Sequence, residues 1–249
     1  MEAFGLGVFM FVACAATALL EHPASALHQG IESAFVRRII MGAAMGATAL
    51  ALITSPWGQR SGAHLNPSVT LTFWALGKVS GADAISYALA QFAGGLAGTG
   101  LASFFIGMPL DHMAVGYAST TPSMSGSANA FAAEAIISFL LMTTVLGLSN
   151  SKAWYRSTPY AAAVLVALFI IVEAPVSGMS MNPARTFASA VPSGNWQSIW
   201  IYFLAPPLGM LTAAAFHHYR SEVHCAKLHH ANTCRCIFRC EFPKLLSKV

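Results

Sequence analysis

Six long apolar runs constrain this chain more than any other feature of its sequence. They cover roughly residues 3–20, 34–54, 83–107, 129–149, 158–174 and 198–219. A helix needs about 20 consecutive apolar residues to cross the hydrocarbon core of a bilayer. Hydrophobic residues make up 56% of the chain and charged residues only 9%, so a soluble fold could not cover its surface with polar groups. We therefore predict an all-α membrane protein with six transmembrane helices.

The loop charges predict how these helices are oriented. Six spans place both termini on one side, and that side holds ten Lys and Arg residues against Arg37 and Arg38 opposite. The positive-inside rule then predicts that both termini are cytoplasmic, in a multi-pass protein of the cell membrane. Most of the excess lies in the last 30 residues, and the chain has no basic stripe with interleaved aromatic residues. We expect the lipid bilayer as a partner and no nucleic acid.

Two segments between the spans, 61–78 and 177–192, are too short to cross a membrane yet too apolar for ordinary loops. The sequences SGAHLNPSVT and SGMSMNPART, which begin at Ser61 and Ser177, share five of ten residues. Each repeat unit contains three spans and one such segment, so the two halves insert with opposite orientations. The sequence therefore predicts a channel domain over 1–219 whose inverted-repeat halves cover about 1–110 and 127–219. A soluble solenoid is excluded, because solenoid repeats are about 20 to 50 residues long and the repeat from Ser61 to Ser177 is much longer.

Each repeated segment contains an Asn-Pro pair, Asn66-Pro67 and Asn182-Pro183. Asn is a preferred N-cap and Pro is favoured in the first helical turn, so each pair predicts the start of a helix. Only about ten apolar residues follow, enough for a re-entrant half-helix. In an inverted repeat the two N-termini meet near the bilayer midplane, with their positive dipole ends facing one point. Such a point repels cations and protons, whereas a neutral solute can accept hydrogen bonds from the two Asn amides.

Four further charged residues accompany these segments. Arg185 lies three residues after Asn182, nearly one turn along the second half-helix, and we expect it to line the pore. Glu2 and Glu134 begin the first and fourth spans, equivalent places in the two halves, and we expect them to support the re-entrant segments. Glu173 either binds loop backbone or faces the outer vestibule, and the sequence does not decide between these roles.

Together these residues resemble the aquaporin, or major intrinsic protein, family. The paired Asn-Pro segments look like its two signature loops, and Gln91 and Pro206 fall where the family places a glutamine in span three and a proline in span six. The resemblance covers residues 1 to about 219. It implies six spans with two half-helices, a homotetramer with one pore per subunit, and passive flux of water or small neutral solutes. His64 would shape the first loop, and Ser68 replaces the usual alanine without expected damage.

The resemblance also implies a four-residue outer constriction. Ungapped spacing assigns it to Gly46, Ile170, Met179 and Arg185, with Met45 in place of Gly46 if the second span carries one extra residue. In this family, strict water channels have Phe, His, a small residue or Cys, and Arg at these four positions. Because the aromatic residue and the histidine are missing, we expect a wider and more apolar opening.

Other positions favour water. Thr186 and Ala190 resemble the small residues of water channels, and Tyr202-Phe203 is aromatic as in water channels. The sequence therefore predicts a passive channel for water that excludes protons and ions, with small uncharged solutes left open. The alternatives are a broader facilitator of glycerol, urea, ammonia, peroxide or metalloid acids, and a poorly conducting structural membrane protein. No nucleophile lies at workable spacing from a base, so we predict no enzyme, no catalytic residue and no cofactor.

Small residues in two spans suit close helix packing. They are Gly42, Gly46, Gly94, Gly95 and Gly98.

The last segment, 220–249, is a basic tail rich in cysteine and histidine. These residues are His224, Cys225, His229, His230, Cys234, Cys236 and Cys240. Soft ligands of this kind could bind zinc or copper(I), but their spacing fits no standard structural zinc pattern. Near-membrane cysteines could also be palmitoylated. The reading that the sequence favours is a flexible, solvated basic tail that touches anionic lipid, without a metal site.

Overall fold

The computed structural model describes residues 1–124, 126–219, 221–230 and 237–243. The α-helices in these ranges run in the order α1 (Glu2–Glu21), α2 (Ala26–Gly30), α3 (Ala34–Thr54), α4 (Pro56–Ser61), α5 (Pro67–Ala75), α6 (Gly81–Ile106), α7 (Ser127–Ser149), α8 (Thr158–Ser177), α9 (Pro183–Ser193) and α10 (Ile199–His218). Short 3₁₀ turns lie at Met108–Leu110, Gly116–Ala118 and Tyr155–Ser157. Within the described ranges no β-strand is present.

The predicted all-α membrane fold is confirmed. Six helices, α1, α3, α6, α7, α8 and α10, are long and apolar enough to span a membrane. The largest difference from a predicted span boundary is three residues, at the end of α8, which continues from 174 to Ser177. The two half-helices α5 and α9 contain 9 and 11 residues, close to the expected ten.

The helices pair as an inverted repeat requires. The first half consists of α1, α3, α5 and α6, and the second of α7, α8, α9 and α10. Within the halves, α1 packs on α6 and α7 packs on α10, which are equivalent pairs. The third extensive contact joins α3 to α8, one helix from each half. The most extensive contact between the two halves is therefore that of α3 with α8.

Glycine lets these helices approach closely. A Cβ on Gly98 of α6 would lie 2.1 Å from the carbonyl oxygen of Gly7 in α1. Between α3 and α8, a Cβ on Gly42 would lie 2.6 Å from the Ala167 oxygen, and one on Gly46 2.8 Å from the Ala163 oxygen. These distances leave no room for a larger side chain, as expected for membrane helices that pack through small residues.

Large apolar side chains cover the outer surface of the helices. Leu89, Phe104 and Val172 are 66%, 80% and 71% exposed, respectively. Such a surface is unfavourable in water and suits a lipid environment. The chain is accordingly a multi-pass membrane protein.

The tail does not extend into solvent where it is described. We call the face on which α1 begins and α10 ends the terminal face, and the opposite one the far face. Residues 221–230 and 237–243 fold back onto the terminal face, and Val223, Ala226 and Leu228 are buried against the helix core. The prediction of a solvated tail is therefore wrong for these residues, because its apolar side chains find a hydrophobic surface there. The predicted tail residues Cys234 and Cys236 lie outside the described residues.

Candidate functional site

Each half-helix begins at its Asn-Pro pair and is capped by the asparagine. Asn66 Oδ1 accepts the backbone N–H of Ser68 at 2.8 Å, and Asn182 Oδ1 accepts that of Ala184 at 3.1 Å. Pro67 and Pro183 occupy the first helical turn, where a missing N–H costs nothing. Such a cap stabilises a helix by about 1 kcal/mol.

The same two asparagines join the half-helices at the centre of the molecule. Asn66 Nδ2 donates to the Met181 carbonyl at 2.6 Å, and Asn182 Nδ2 donates to the Leu65 carbonyl at 2.7 Å. Each amide nitrogen carries two hydrogens, so this bond leaves one N–H on each. The two helix N-termini therefore meet, and both asparagines lie on the wall of the same cavity.

Two buried carboxylates hold the re-entrant loops in equivalent ways. Glu2 accepts hydrogen bonds from the Ser61 hydroxyl at 2.7 Å and the Leu65 backbone N–H at 2.6 Å. Glu134 accepts hydrogen bonds from the hydroxyl of Ser177 at 2.6 Å and from two backbone N–H groups of the loop at 2.7 Å. Those backbone groups belong to Ser180 and Met181. The two acids thus satisfy buried donors of the re-entrant loops.

Both re-entrant loops contain two residues with a left-handed backbone conformation, at equivalent positions. Ala63 and Leu65 have φ of 53° and 50°, and the equivalent residues Met179 and Met181 have φ of 53° and 54°. Left-handed conformations cost non-glycine residues of order 1 kcal/mol or more and persist where the surroundings impose them. Here the carboxylate and asparagine bonds impose them, and the Leu65 and Met181 carbonyls turn toward the opposite asparagine.

A cavity of about 310 Å³ runs past the two asparagines. At the far face it reaches Ser119, and at the terminal face it reaches Leu228 of the tail. Its wall is mostly apolar. Larger apolar residues on it include Phe9, Met41, Met45, Ile53, Val69, Val145, Val166, Ile170, Met179 and Met181. Polar residues interrupt this surface, among them His64, Asn66, Ser180, Asn182 and Arg185.

The structure corrects one residue of the expected constriction. Met45, Ile170, Met179 and Arg185 all line the cavity. Gly46, which ungapped spacing selected, instead faces Ala163 and Ala167 of α8. A one-residue shift rotates a helix by about 100°, which moves the side chain from the cavity to the helix contact.

Arg185 brings a charged donor to this part of the wall. Its Nη1 makes no hydrogen bond to any residue that the structure describes. A guanidinium carries five N–H donors and stays protonated, so Arg185 places a fixed positive charge on the cavity wall.

His64 belongs to the first re-entrant loop, and Gln91 of α6 is buried near it. The His64 ring is 3% exposed and its nitrogens contact Thr70 Oγ1 at 3.1 Å and the Ala226 carbonyl at 2.7 Å. Gln91 Nε2 donates to Glu2 at 2.8 Å and to Thr70 Oγ1 at 3.2 Å. His64 thus connects the loop to the tail, while Gln91 extends the hydrogen-bond network of Glu2.

The loop between α6 and α7, at the far face, packs against the second re-entrant segment. Thr120 and Thr186 join their hydroxyls at 2.9 Å, and a Cβ on Gly178 would lie 2.9 Å from the Thr120 Cα. Nearby, the Tyr117 hydroxyl donates to Asp111 at 2.6 Å, and this bond is the main reason that the pKa of Tyr117 is raised.

Three features of the site were not predictable from the residues singled out in the sequence. The Leu65 and Met181 carbonyls act through backbone conformation, which leaves no side-chain signature. Leu228 reaches the cavity wall from the tail, where neither spacing nor periodicity signals it. Glu173, whose role the sequence left undecided, is 6% exposed, lies in α8 and is not among the residues that line this cavity.

Comparison with known proteins gives a consistent family signal. The family model described as Major intrinsic protein matches residues 1–217. Aquaporin PIP2-7 of Arabidopsis thaliana is 33% identical over 168 residues, which cover 64% of this chain and 60% of the relative. Aquaporin NIP3-1 of Zea mays is 36% identical over 175 residues, which cover 70% of this chain and 56% of the relative.

A solved structure shares the fold. The X-ray structure of the aquaglyceroporin from Plasmodium falciparum matches with a TM-score of 0.66 at 21% sequence identity. The match covers 86% of this chain and 92% of that one. By contrast, the chain spans only 53% to 60% of the length of the first curated relatives.

Proposed function

Because this chain belongs to the major intrinsic protein family, we propose that it is a passive membrane channel for water that excludes protons and ions. The observation that carries the proposal is the pair Asn66 and Asn182, whose amides lie at the meeting point of two half-helix N-termini on one cavity wall. The related proteins named aquaporins support the same class.

The charge distribution accounts for selection against ions. Each half-helix N-terminus carries the equivalent of about half a positive charge, and the two face each other. Arg185 adds a full positive charge on the same wall. A cation therefore meets repulsion from three sources, while the apolar remainder of the wall offers no groups to replace its hydration shell.

Water passage needs donors at intervals along an apolar wall. The remaining N–H of each asparagine can donate to a passing oxygen atom, and the Arg185 guanidinium on the same wall carries further donors. A molecule that accepts these hydrogen bonds in turn is oriented by them. The chain of hydrogen bonds needed for proton hopping is then interrupted at the asparagines.

A broader solute range is the second candidate, and one observation favours it. Met45, Ile170 and Met179 accompany Arg185 on the cavity wall, without an aromatic ring or a histidine among them. Flexible thioether side chains adapt to solutes of different shape. Small uncharged molecules such as glycerol or urea are therefore candidate substrates beside water.

Stopped-flow light scattering on proteoliposomes tests both candidates. Sucrose gradients report water flux, and parallel glycerol and urea gradients report solute entry. We expect water flux well above that of empty vesicles, and re-swelling in glycerol or urea if the broader range holds. Water flux equal to that of empty vesicles would instead support a structural membrane protein that conducts poorly.

Orientation and assembly complete the proposal. The excess of basic residues in the terminal-face loops and tail supports cytoplasmic termini. Membership of the family supports a homotetramer with one pore per subunit. Native mass spectrometry in detergent checks the assembly, and accessibility of an epitope placed after residue 249 checks the orientation in intact cells.

A further inference from the structure

Three metal-binding side chains converge in the part of the tail that the structure describes. One ligand atom each of Cys225, His230 and Cys240 lies within 4.8 Å of the others. His230 Nε2 and Cys240 Sγ lie 3.3 Å apart. Around a tetrahedral zinc ion, with Zn–S near 2.3 Å and Zn–N near 2.0 Å, neighbouring ligand atoms are about 3.5 to 4 Å apart. Small side-chain movements would therefore bring all three into coordination.

The surroundings hold these side chains in place. Cys225 is 4% exposed, and Phe242, 2% exposed, packs beside it. The Phe242 ring stacks on the His230 imidazole with centroids 3.9 Å apart and meets the Tyr155 ring edge-on at 4.9 Å. Such packing fixes the orientation of a ligand ring, which strengthens metal binding. The trio thus lies in a packed part of the tail, with Cys225 buried and His230 and Cys240 partly buried.

We propose that Cys225, His230 and Cys240 bind a thiophilic cation, Zn²⁺ or Cu⁺, and that the bound ion fastens the tail across the terminal-face mouth of the channel. Two thiolates and an imidazole are soft donors that select these ions over Mg²⁺ or Ca²⁺. Binding releases the thiol protons to solvent and changes no oxidation state. The effect on flux rests on the proposed channel function, whereas the metal site does not.

The ligands bracket the segment that covers the mouth. Between Cys225 and His230, the Ala226 carbonyl contacts His64 Nε2 at 2.7 Å, and the Leu228 backbone N–H donates to the Gly62 carbonyl at 3.1 Å. The Leu228 side chain lies on the cavity wall with Ile53, Val145 and Ala162. A metal ion bound by Cys225 and His230, which lie on either side of this segment, would hold Leu228 in the mouth.

Cys240 brings the second described segment of the tail, 237–243, into this arrangement. The following residue, Glu241, donates its backbone N–H to the His224 carbonyl at 2.7 Å and pairs its carboxylate with the Lys78 ammonium. Phe238 stacks on the outer side of the His64 ring, with centroids 5.4 Å apart and planes 6° from parallel. Coordination of Cys240 would therefore tie residues 237–243 to 221–230 over the first re-entrant loop.

One buried residue of the tail gives a reason why docking of the tail would depend on a bound metal ion. Lys227 is 1% exposed, and its Nζ has no hydrogen-bond partner among the described residues. Burying an unpaired ammonium is costly, so this group opposes docking. Metal binding contributes free energy to the folded form that coordinates the ion and can offset that cost.

Metal binding is tested first, on the full chain in detergent with a non-thiol reductant present throughout. Zn²⁺ and Cu⁺ are titrated against chelators of known affinity, and Co²⁺ is used as a spectroscopic substitute for Zn²⁺. We expect one high-affinity ion per chain and a thiolate-to-cobalt charge-transfer band. Cys225→Ser, His230→Ala and Cys240→Ser should each weaken binding by about 100-fold or more. His229→Ala, in the same segment but outside the trio, is the matched control and should bind as the wild type does.

Closure is tested by water flux in proteoliposomes, with metal or chelator on both sides because reconstitution leaves both orientations. We expect Zn²⁺ or Cu⁺ to slow the wild type severalfold and a chelator to restore it. Leu228→Ala should keep the cobalt band but lose most of the slowing, since its shortened side chain no longer fills the mouth.

The outcomes separate the two parts of the proposal. Unchanged affinity in all three ligand variants overturns the metal site. A bound ion that leaves wild-type flux unchanged, or that slows Leu228→Ala as strongly as the wild type, overturns the closure. Absence of water flux even with chelator counts against the channel, while the cobalt spectrum still reports on the site.

Discussion

Asn66 and Asn182 use the two ends of one amide for different tasks. The oxygen caps a half-helix, and the nitrogen binds a carbonyl of the opposite loop. Aspartate is as good a cap as asparagine, but an ionised carboxylate cannot donate. The capping and donating roles can therefore be separated by a single substitution.

Asn182→Asp should keep the half-helix and weaken the barrier to protons. The variant loses the donor to Leu65 and places a negative charge where two positive helix ends meet. We expect lower water flux and a higher proton leak, measured with a pH-sensitive dye inside proteoliposomes. Asn195→Asp is the control, since its oxygen can still accept the Gln197 N–H. A leak identical in the two variants would refute the assignment.

Glu134→Ala should destabilise the second re-entrant loop. The change leaves the Ser177 hydroxyl and two loop N–H groups without their acceptor. At about 1 to 3 kcal/mol for each buried unsatisfied group, the loss amounts to several kcal/mol. Thermal unfolding in detergent should show a clearly lower midpoint than Glu134→Gln, which keeps one acceptor oxygen. The exposed Glu32→Gln serves as the control, and a midpoint unchanged by Glu134→Ala would contradict the supporting role.

At the scale of elements, α1 and α6 pack backbone against backbone at Gly7 and Gly98. Gly98→Ala would place a methyl group 2.1 Å from the Gly7 carbonyl oxygen, so the helices must separate. Overpacking of this kind typically costs about 1 to 3 kcal/mol. We expect a lower yield of folded protein and a lower unfolding midpoint. Gly100→Ala, on the same helix with nothing within 4 Å, should behave as the wild type, and equal effects would exclude packing as the cause.

The face of α3 that lines the pore can be read by cysteine labelling. Met45→Cys should react with a small charged methanethiosulfonate, and the label should reduce water flux because it occupies the cavity wall. Ala47→Cys lies two residues away on an exposed surface and is the control. The wild type, which retains its own cysteines, gives the background. Flux reduced equally at both positions would show that Met45 is not a special wall residue.

Much of this architecture follows from sequence because membrane spans and helix caps are local signals. Apolar run length locates the spans within a few residues, and Asn66-Pro67 and Asn182-Pro183 start the half-helices where capping chemistry requires. The choice between Met45 and Gly46 depends on helix rotation, which α3 takes from its packing on α8. No local pattern contains that information, so ungapped spacing selected the wrong neighbour.

At the scale of the whole molecule, the tail shows most clearly what the sequence leaves open. Composition described residues 220–249 as basic and polar, typical of a solvated segment. Its few apolar residues nevertheless match the hydrophobic surface around the terminal mouth, and Val223, Ala226 and Leu228 are buried there. Such a match depends on a surface built from distant helices. The pore and its terminal-face cover are therefore parts of one structure.

The central claim is that a single pathway passes water and rejects charge. Water flux and proton leak measured in the same chelator-treated proteoliposomes test it most directly, under a sucrose gradient and then under a pH gradient. The account predicts osmotic shrinkage far faster than in empty vesicles, with a proton leak no greater than theirs. Shrinkage at the rate of empty vesicles, or fast shrinkage accompanied by an equally fast collapse of the pH gradient, would contradict it.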